Sequence, residues 1–268
     1  MSVENLKQPT QLNAKLKMPV NKCRQHQGFT LIEIMVSMLL GLFLLGGVME
    51  IFLNTKQTYR VQDALGRLQE NGRYAMEFIS RDIRMTDYRG CPTTPPSLNP
   101  AVDPANLPIV GTEGVHAANR AKDAPDSITI KWSLNGCAAH TAPLDAAGCP
   151  IDPNKECALN RAYTISATKN LNQNAAPLIE GVENMQIKYG ADTDGDGAPN
   201  YYADFGTAGL DMSQVVAIRV SLLLRTFEDN VAANPLPYTF NGERDDTPGD
   251  RRIRRVFSST FALRNRIH

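Results

Sequence analysis

Residues 29–53 are almost uniformly apolar, and beyond them the apolar positions thin to Val61, Leu65, Leu68, Gly72, Ala75, Ile79 and Ile83, spaced three or four apart. Spacing of this kind places one stripe on one helix face, so the pattern predicts a single continuous helix from about residue 29 to 87. Its first half is greasy all round. Its second half is amphipathic, with Arg67, Glu70, Arg73, Glu77 and Arg81 turned to water or neighbours. Gly41, Gly46, Gly47 and Gly66 each cost about 1 kcal/mol against alanine in a helix, although small residues also let helices approach closely in a membrane. The Gly46-Gly47 pair reads either as a softening point or as a close-packing site.

Proline and asparagine crowd residues 90–108 and end the helix. Extended patterns follow at 127–134, 162–166, 185–189, 215–225 and 256–263. Ile128, Ile130 and Trp132 share one face of the first, and Phe257, Phe261 and Leu263 oppose Val256, Ser258, Thr260 and Ala262 in the last. The prediction is an α+β fold, a long N-terminal helix packed on an antiparallel sheet, with residues 90–268 forming a single head large enough for one core.

As a helix the apolar run extends about 37 Å, longer than a hydrocarbon core of about 30 Å, so it spans a bilayer with some tilt. A secretory signal would place its cut after the apolar core, whereas here the small residue Gly28 precedes it. Lys7, Lys15, Lys17, Lys22 and Arg24 against the lone acid Glu4 keep residues 1–28 cytoplasmic and send the C-terminal part across. A start at Met18 would give a shorter leader, more usual in length and still basic. The chain carries 28 basic and 28 acidic residues, and loss of the leader leaves a net charge of about −4, no footprint of a basic nucleic-acid-binding domain. Glu33 is costly in hydrocarbon unless paired or near the interface.

Gly28, Phe29 and Glu33 at this spacing resemble the prepilin signature of type IV pilins and type II secretion pseudopilins. That resemblance implies cleavage by a prepilin peptidase between Gly28 and Phe29, N-methylation of Phe29, and pairing of Glu33 with the N-terminal amine of a neighbouring subunit. It divides the chain into a removed leader at 1–28, a transmembrane and filament-core helix at 29–53, its amphipathic continuation at 54–89, and the β-rich head. Asn71-Gly72-Arg73-Tyr74-Ala75, Asp82-Ile83-Arg84, Gly90-Cys91, Arg254-Arg255-Val256-Phe257 and Leu263-Arg264-Asn265 look like the PilW family of type IV pilus minor pilins, related to the J-type minor pseudopilins. The family implies a subunit of the inner membrane, head periplasmic, that then enters the pilus at or near its tip and primes assembly. Its implied partners are other minor pilins, the major pilin, the prepilin peptidase, the assembly platform, membrane lipid and a tip adhesin. A type II secretion pseudopilin, a calcium-dependent surface-binding module and a receptor on an uncleaved anchor are the alternatives. Residues 93–160 carry no recognised resemblance of this kind and are where individual adhesion or partner specificity could reside.

Cys23 lies in the leader, which leaves Cys91, Cys137, Cys149 and Cys157. In an oxidising compartment these form two disulfides, and the expected pairing is Cys149 with Cys157 and Cys91 with Cys137, one closing a short loop and one tying the helix end to the head. A zinc site is the weaker alternative, since no C-x-x-C pair is present and only His116 and His140 lie near. No cofactor is required, but Asp192, Asp194 and Asp196 alternate with Gly197 at the sixth position, as in the opening of a calcium loop. Asn200 falls at the ninth position, Ala203 occupies the twelfth where a bidentate glutamate belongs, and Asp204 is the candidate substitute. A calcium site and a metal-free hairpin loop both remain open. Arg251, Arg252, Arg254 and Arg255 face Asp245, Asp246 and Asp250 in sequence and predict an ion-pair network more than DNA contact. The histidines come with no nucleophile motif or metal-ligand spacing, which argues against an enzyme.

Overall fold

A computed structural model of the 268-residue chain describes residues 28–88, 107–134 and 157–267, with the side chains of 133, 134 and 157–159 outside that description. Helix α1 (Leu31–Arg84) runs unbroken for 54 residues. The chain divides into two compact units, Met1–Phe52 and Leu53–His268. In the second, the predicted stripe lies against the core: Leu68, Gly72, Ala75, Ile79 and Ile83 are buried, while the charged positions from Arg67 to Arg81 face out. The helix ends in tighter turns, with Thr86 N bonded to Ile83 O, and Asn265 Nδ2 donates to the carbonyls of Arg84 and Thr86, which the helix leaves without partners.

The expected antiparallel head is present, but its strands divide into two larger sheets and a ribbon. The first sheet is a meander of β1 (Ile109–Thr112), β2 (Ser127–Leu134), β3 (Cys157–Ile165), β4 (Asn170–Gln173) and β5 (Ala176–Glu180), paired in that order. The second holds β6 (Val182–Ala191), β7 (Tyr201–Ala203), β8 (Val215–Arg225) and β11 (Arg254–Ala262) in the order β11-β8-β6-β7. The ribbon is β9 (Tyr238–Phe240) with β10 (Glu243–Asp245), joined by Asn241-Gly242, both at positive φ as a tight hairpin turn requires. One core unites the helix stripe with Ile128, Ile130 and Tyr163 of the first sheet and Met185, Ile187, Ile218 and Leu222 of the second.

Polar groups lock these layers. Tyr163 Oη donates to Asp82 Oδ2 at 2.7 Å, and Gln173 Nε2 donates to the same oxygen at 3.0 Å, so a buried carboxylate on the helix is held by two strands. Asp126, directly before β2, reaches β6: its N–H donates to Met185 O, and its carboxylate accepts from Ile187 N and Gly114 N, stitching the sheets together. Beside it lies Glu113, whose Oε2 is buried without a partner among the described residues. Burial, then the nearby Asp126 and Asp204, push its carboxyl from the ordinary 4.5 up to about 7, against the pull of His116 and Lys188. Burial also raises Asp126, partly offset by the two N–H groups it accepts.

Two outcomes follow from this packing. A methyl group on Gly72 would overlap the ring of Phe257, so Gly72→Ala is expected to destabilise the head by about 1–3 kcal/mol, less the alanine's better helix propensity. Thermal unfolding should show the loss, and a Phe257→Leu background should shrink it. Because Glu113 binds its proton more tightly folded than unfolded, the stability it contributes is complete below pH 4.5 and is lost as pH rises through about 7. Glu113→Gln should therefore melt above the unaltered chain at pH 8, with the advantage vanishing toward pH 4.5.

Candidate functional site

Gly28, Phe29 and Thr30 precede the helix and are non-helical and exposed. Thr30 starts α1: its Oγ1 accepts from Glu33 N at 3.3 Å, and its carbonyl accepts from Glu33 N and Ile34 N. Thr30 and Glu33 thus stand at the spacing of a capping box, a signal present in the sequence but outstripped there by the cleavage signature. Glu33 occupies the first turn, where the unpaired N–H groups give the helix a partial positive charge that favours a carboxylate.

Every residue from 28 to 60 is exposed, with Phe43 at 81% and Leu42 at 70%. Among the described residues, the apolar side chains of this stretch are exposed around the whole circumference of the helix. This helix is long and apolar enough to cross a membrane.

The acidic loop after β6 brings together three of its predicted residues. Oxygen atoms of Asp192, Asp194 and Asp196 lie within 4.8 Å of one another, and Asn200 joins them by donating to Asp194 Oδ2 at 3.1 Å. Gly195 and Gly197, at φ of 79° and 84°, fold the loop so that both donate their N–H groups to Asp192. The N–H of Gly197 above all holds the Asp192 carboxyl below the usual range. A hard, oxygen-seeking cation suits this donor set. Asp204, the expected substitute ligand, is engaged elsewhere: it accepts from Lys188 Nζ at 2.6 Å and stands 3.6 Å from Arg120. Lying past β7, it answers the charge of the half-buried Lys188 rather than the loop.

The arginine run forms an ion-pair network in which, of the three expected partners, Asp250 takes part while Asp245 and Asp246 turn elsewhere. Arg254, its side chain 6% exposed, is held by Glu183 through Nε at 2.7 Å and by Asp250 through Nη1 at 2.7 Å, and its guanidinium covers the Tyr238 ring. Asp245 turns instead to Lys122 and Asp246 to Arg244, because the β9–β10 hairpin carries both away. Glu183, distant in sequence, carried no signal of this role. Arg252 bonds the carbonyls of Thr226 and Phe227, and Arg251 bonds Asn230 and Ala233, fixing the loop after β8. Cys91, Cys137, Cys149 and the side chain of Cys157 lie outside the described residues, as do residues 1–27.

Residues 23–49 match the prokaryotic N-terminal methylation motif, and residues 148–265 match the family described as Type IV Pilus-assembly protein W, PilW. No curated protein matches the chain. Among solved structures, a type IV-like pilin from Thermus thermophilus aligns at 14% identity with a TM-score of 0.37, covering 75% of this chain and 98% of that one. A methylation-type junction at the start of the exposed helix and a PilW match spanning β3 to β11 support a PilW-type, type IV pilin-like minor pilin.

Proposed function

We propose that this minor pilin is inserted in the inner membrane with its leader cytoplasmic and its head periplasmic, cut between Gly28 and Phe29, methylated on Phe29, and incorporated at or near the pilus tip, where it primes assembly with other minor pilins. The observation that carries this is the helix start, exposed around its whole circumference yet opening on a carboxylate at Glu33. Such a surface is stable in lipid or against like helices, and in either place a charge needs a countercharge. The amine that cleavage creates at Phe29 supplies one, and Glu33 of the adjoining subunit accepts it. Pilin families are structural, and on this reading the head serves lateral contacts.

Mass spectrometry of the mature N-terminus should find methylated Phe29, and Gly28→Ala should accumulate uncut precursor. Glu33→Ala should be processed and folded yet depleted from sheared pili; normal incorporation would refute the pairing role.

The convergence of three carboxylates favours a second, separable property, calcium binding by the loop of Asp192, Asp194, Asp196 and Asn200. Extracellular sites of this kind bind at roughly 10⁻⁴ to 10⁻³ M. Calcium at about ten times its Kd should then stabilise the full chain by about 1.4 kcal/mol. A rise in Tm with calcium that Asp194→Asn removes would support the site, and identical melting with and without calcium would reject it.

A further inference from the structure

Three separate segments of the head bring cationic side chains to one pocket. It encloses about 300 Å³, the lower end of the range for small-molecule sites. Thr168 and Lys169 of the β3–β4 turn, Gly181 between β5 and β6, Arg225 at the end of β8, Phe227 and Arg252 line it, and no carboxylate does. Gly181 makes the approach of these segments feasible. Its φ is 78°, and a Cβ there would lie 2.7 Å from the Arg225 carbonyl oxygen, whereas the glycine carbonyl accepts from Arg225 N at 2.8 Å.

The acids nearby are already engaged. Glu183 and Asp250 each hold Arg254 by two bonds of 2.7 to 3.2 Å. Arg225 stands 3.7 and 3.9 Å from the same two carboxylates, too far for a hydrogen bond, and its half-buried guanidinium donates none to the described residues. Arg252 is fixed through Nη1 by the carbonyls of Thr226 and Phe227 and through Nε by Asp250 at 3.4 Å, which leaves its Nη2 without an acceptor among the described residues. The Lys169 ammonium meets the carbonyl of Glu183 at 3.5 Å. Asp229, the next acid, is exposed and accepts the N–H groups of Asn230 and Arg251. Lys169, Arg225, Arg252 and Arg254 therefore exceed Glu183 and Asp250 in charge, and half-buried donors are left wanting acceptors.

A ligand with several acceptor oxygens and more than one negative charge answers both needs. Guanidinium forks bind such oxyanions through paired N–H groups, and an ammonium adds a point charge. A phosphate group suits three converging cations better than the single charge of a carboxylate. The Phe227 ring, 76% exposed, gives an attached carbon skeleton an apolar face.

We propose that this pocket binds a phosphate-type oxyanion, either free or as a lipid headgroup, with Lys169, Arg225 and Arg252 sharing its oxygens. The bound anion joins the β3–β4 turn to the end of β8 and to the segment before β11, so binding stabilises the head.

The test melts the full chain in nonionic detergent at constant ionic strength, with inorganic phosphate replacing chloride. Tm should rise saturably with phosphate. Lys169→Gln, which loses one long contact to a carbonyl and so keeps the fold, should raise the apparent Kd about tenfold. Arg244→Gln, which removes the same charge from the exposed β9–β10 hairpin, should bind as the unaltered chain does. A second arm mixes phosphatidic acid into the micelles, with phosphatidylcholine as the comparison. Saturation by inorganic phosphate supports a site for the free ion, and saturation by phosphatidic acid alone supports the headgroup source. A Tm that neither anion raises, a rise equal in chloride, or a rise that Lys169→Gln leaves unchanged overturns the proposal.

Discussion

One helix must satisfy two solvents, and the rest of the molecule is arranged around that demand. Burying a large aliphatic or aromatic side chain is worth about 1.5–3 kcal/mol. Leu68, Ala75, Ile79 and Ile83 find that burial within the head, on a stripe narrow enough for two sheets to cover. Among the described residues, the apolar side chains before Leu53 are exposed. Burying them is a demand that lipid or other subunits can meet.

Within the head, buried polar groups decide register where apolar contacts alone would tolerate slippage. Asp82 binds Tyr163 and Gln173 and so sets the rotation of the helix against β3 and β4. Asp126 performs the same task between sheets, occupying the stretch of β6 that the short β7 leaves uncovered. Arg254, nearly enclosed between Glu183 and Asp250, ties β11 to the start of β6. Removing one member of such a set leaves the others buried and unpaired, which costs more than the bond itself is worth.

The helix, its stripe and the strand at Ser127–Leu134 were legible because each follows one period for many residues, and Val215–Arg225 because its β-branched and aliphatic residues form a nearly continuous apolar run. β4, β5, β7, β9 and β10 were not, being three to five residues long, too short for alternation to register. Asn241-Gly242 is a strong hairpin signal that the sequence did offer, between segments of only three residues. At the helix start, the cleavage junction and Glu33 were legible because a charge in an apolar run is conspicuous, and Thr30 was legible in principle through its spacing to Glu33. The pairing of Asp204 with Lys188 and of Arg254 with Glu183 was hidden, since each depends on which strands become neighbours. Local pattern reports the period of an element and says little about which element lies beside it.

The position of Glu33 links the two environments. In the membrane a carboxylate at a helix N-terminus is eased by the partial charge of the first turn and by the nearby headgroups. On entering a bundle of helices it loses the headgroups and keeps only the helix end, which falls short of a full countercharge. Under the function proposed above, a partner amine restores the balance, and only a processed neighbour at the correct axial offset presents one. On that proposal cleavage does more than remove a basic leader, because it creates the cation without which burial of Glu33 is unfavourable. The proposal thereby couples processing to assembly by electrostatics, through one residue whose charge is tolerable in lipid and unfavourable among helices until its neighbour has been cut.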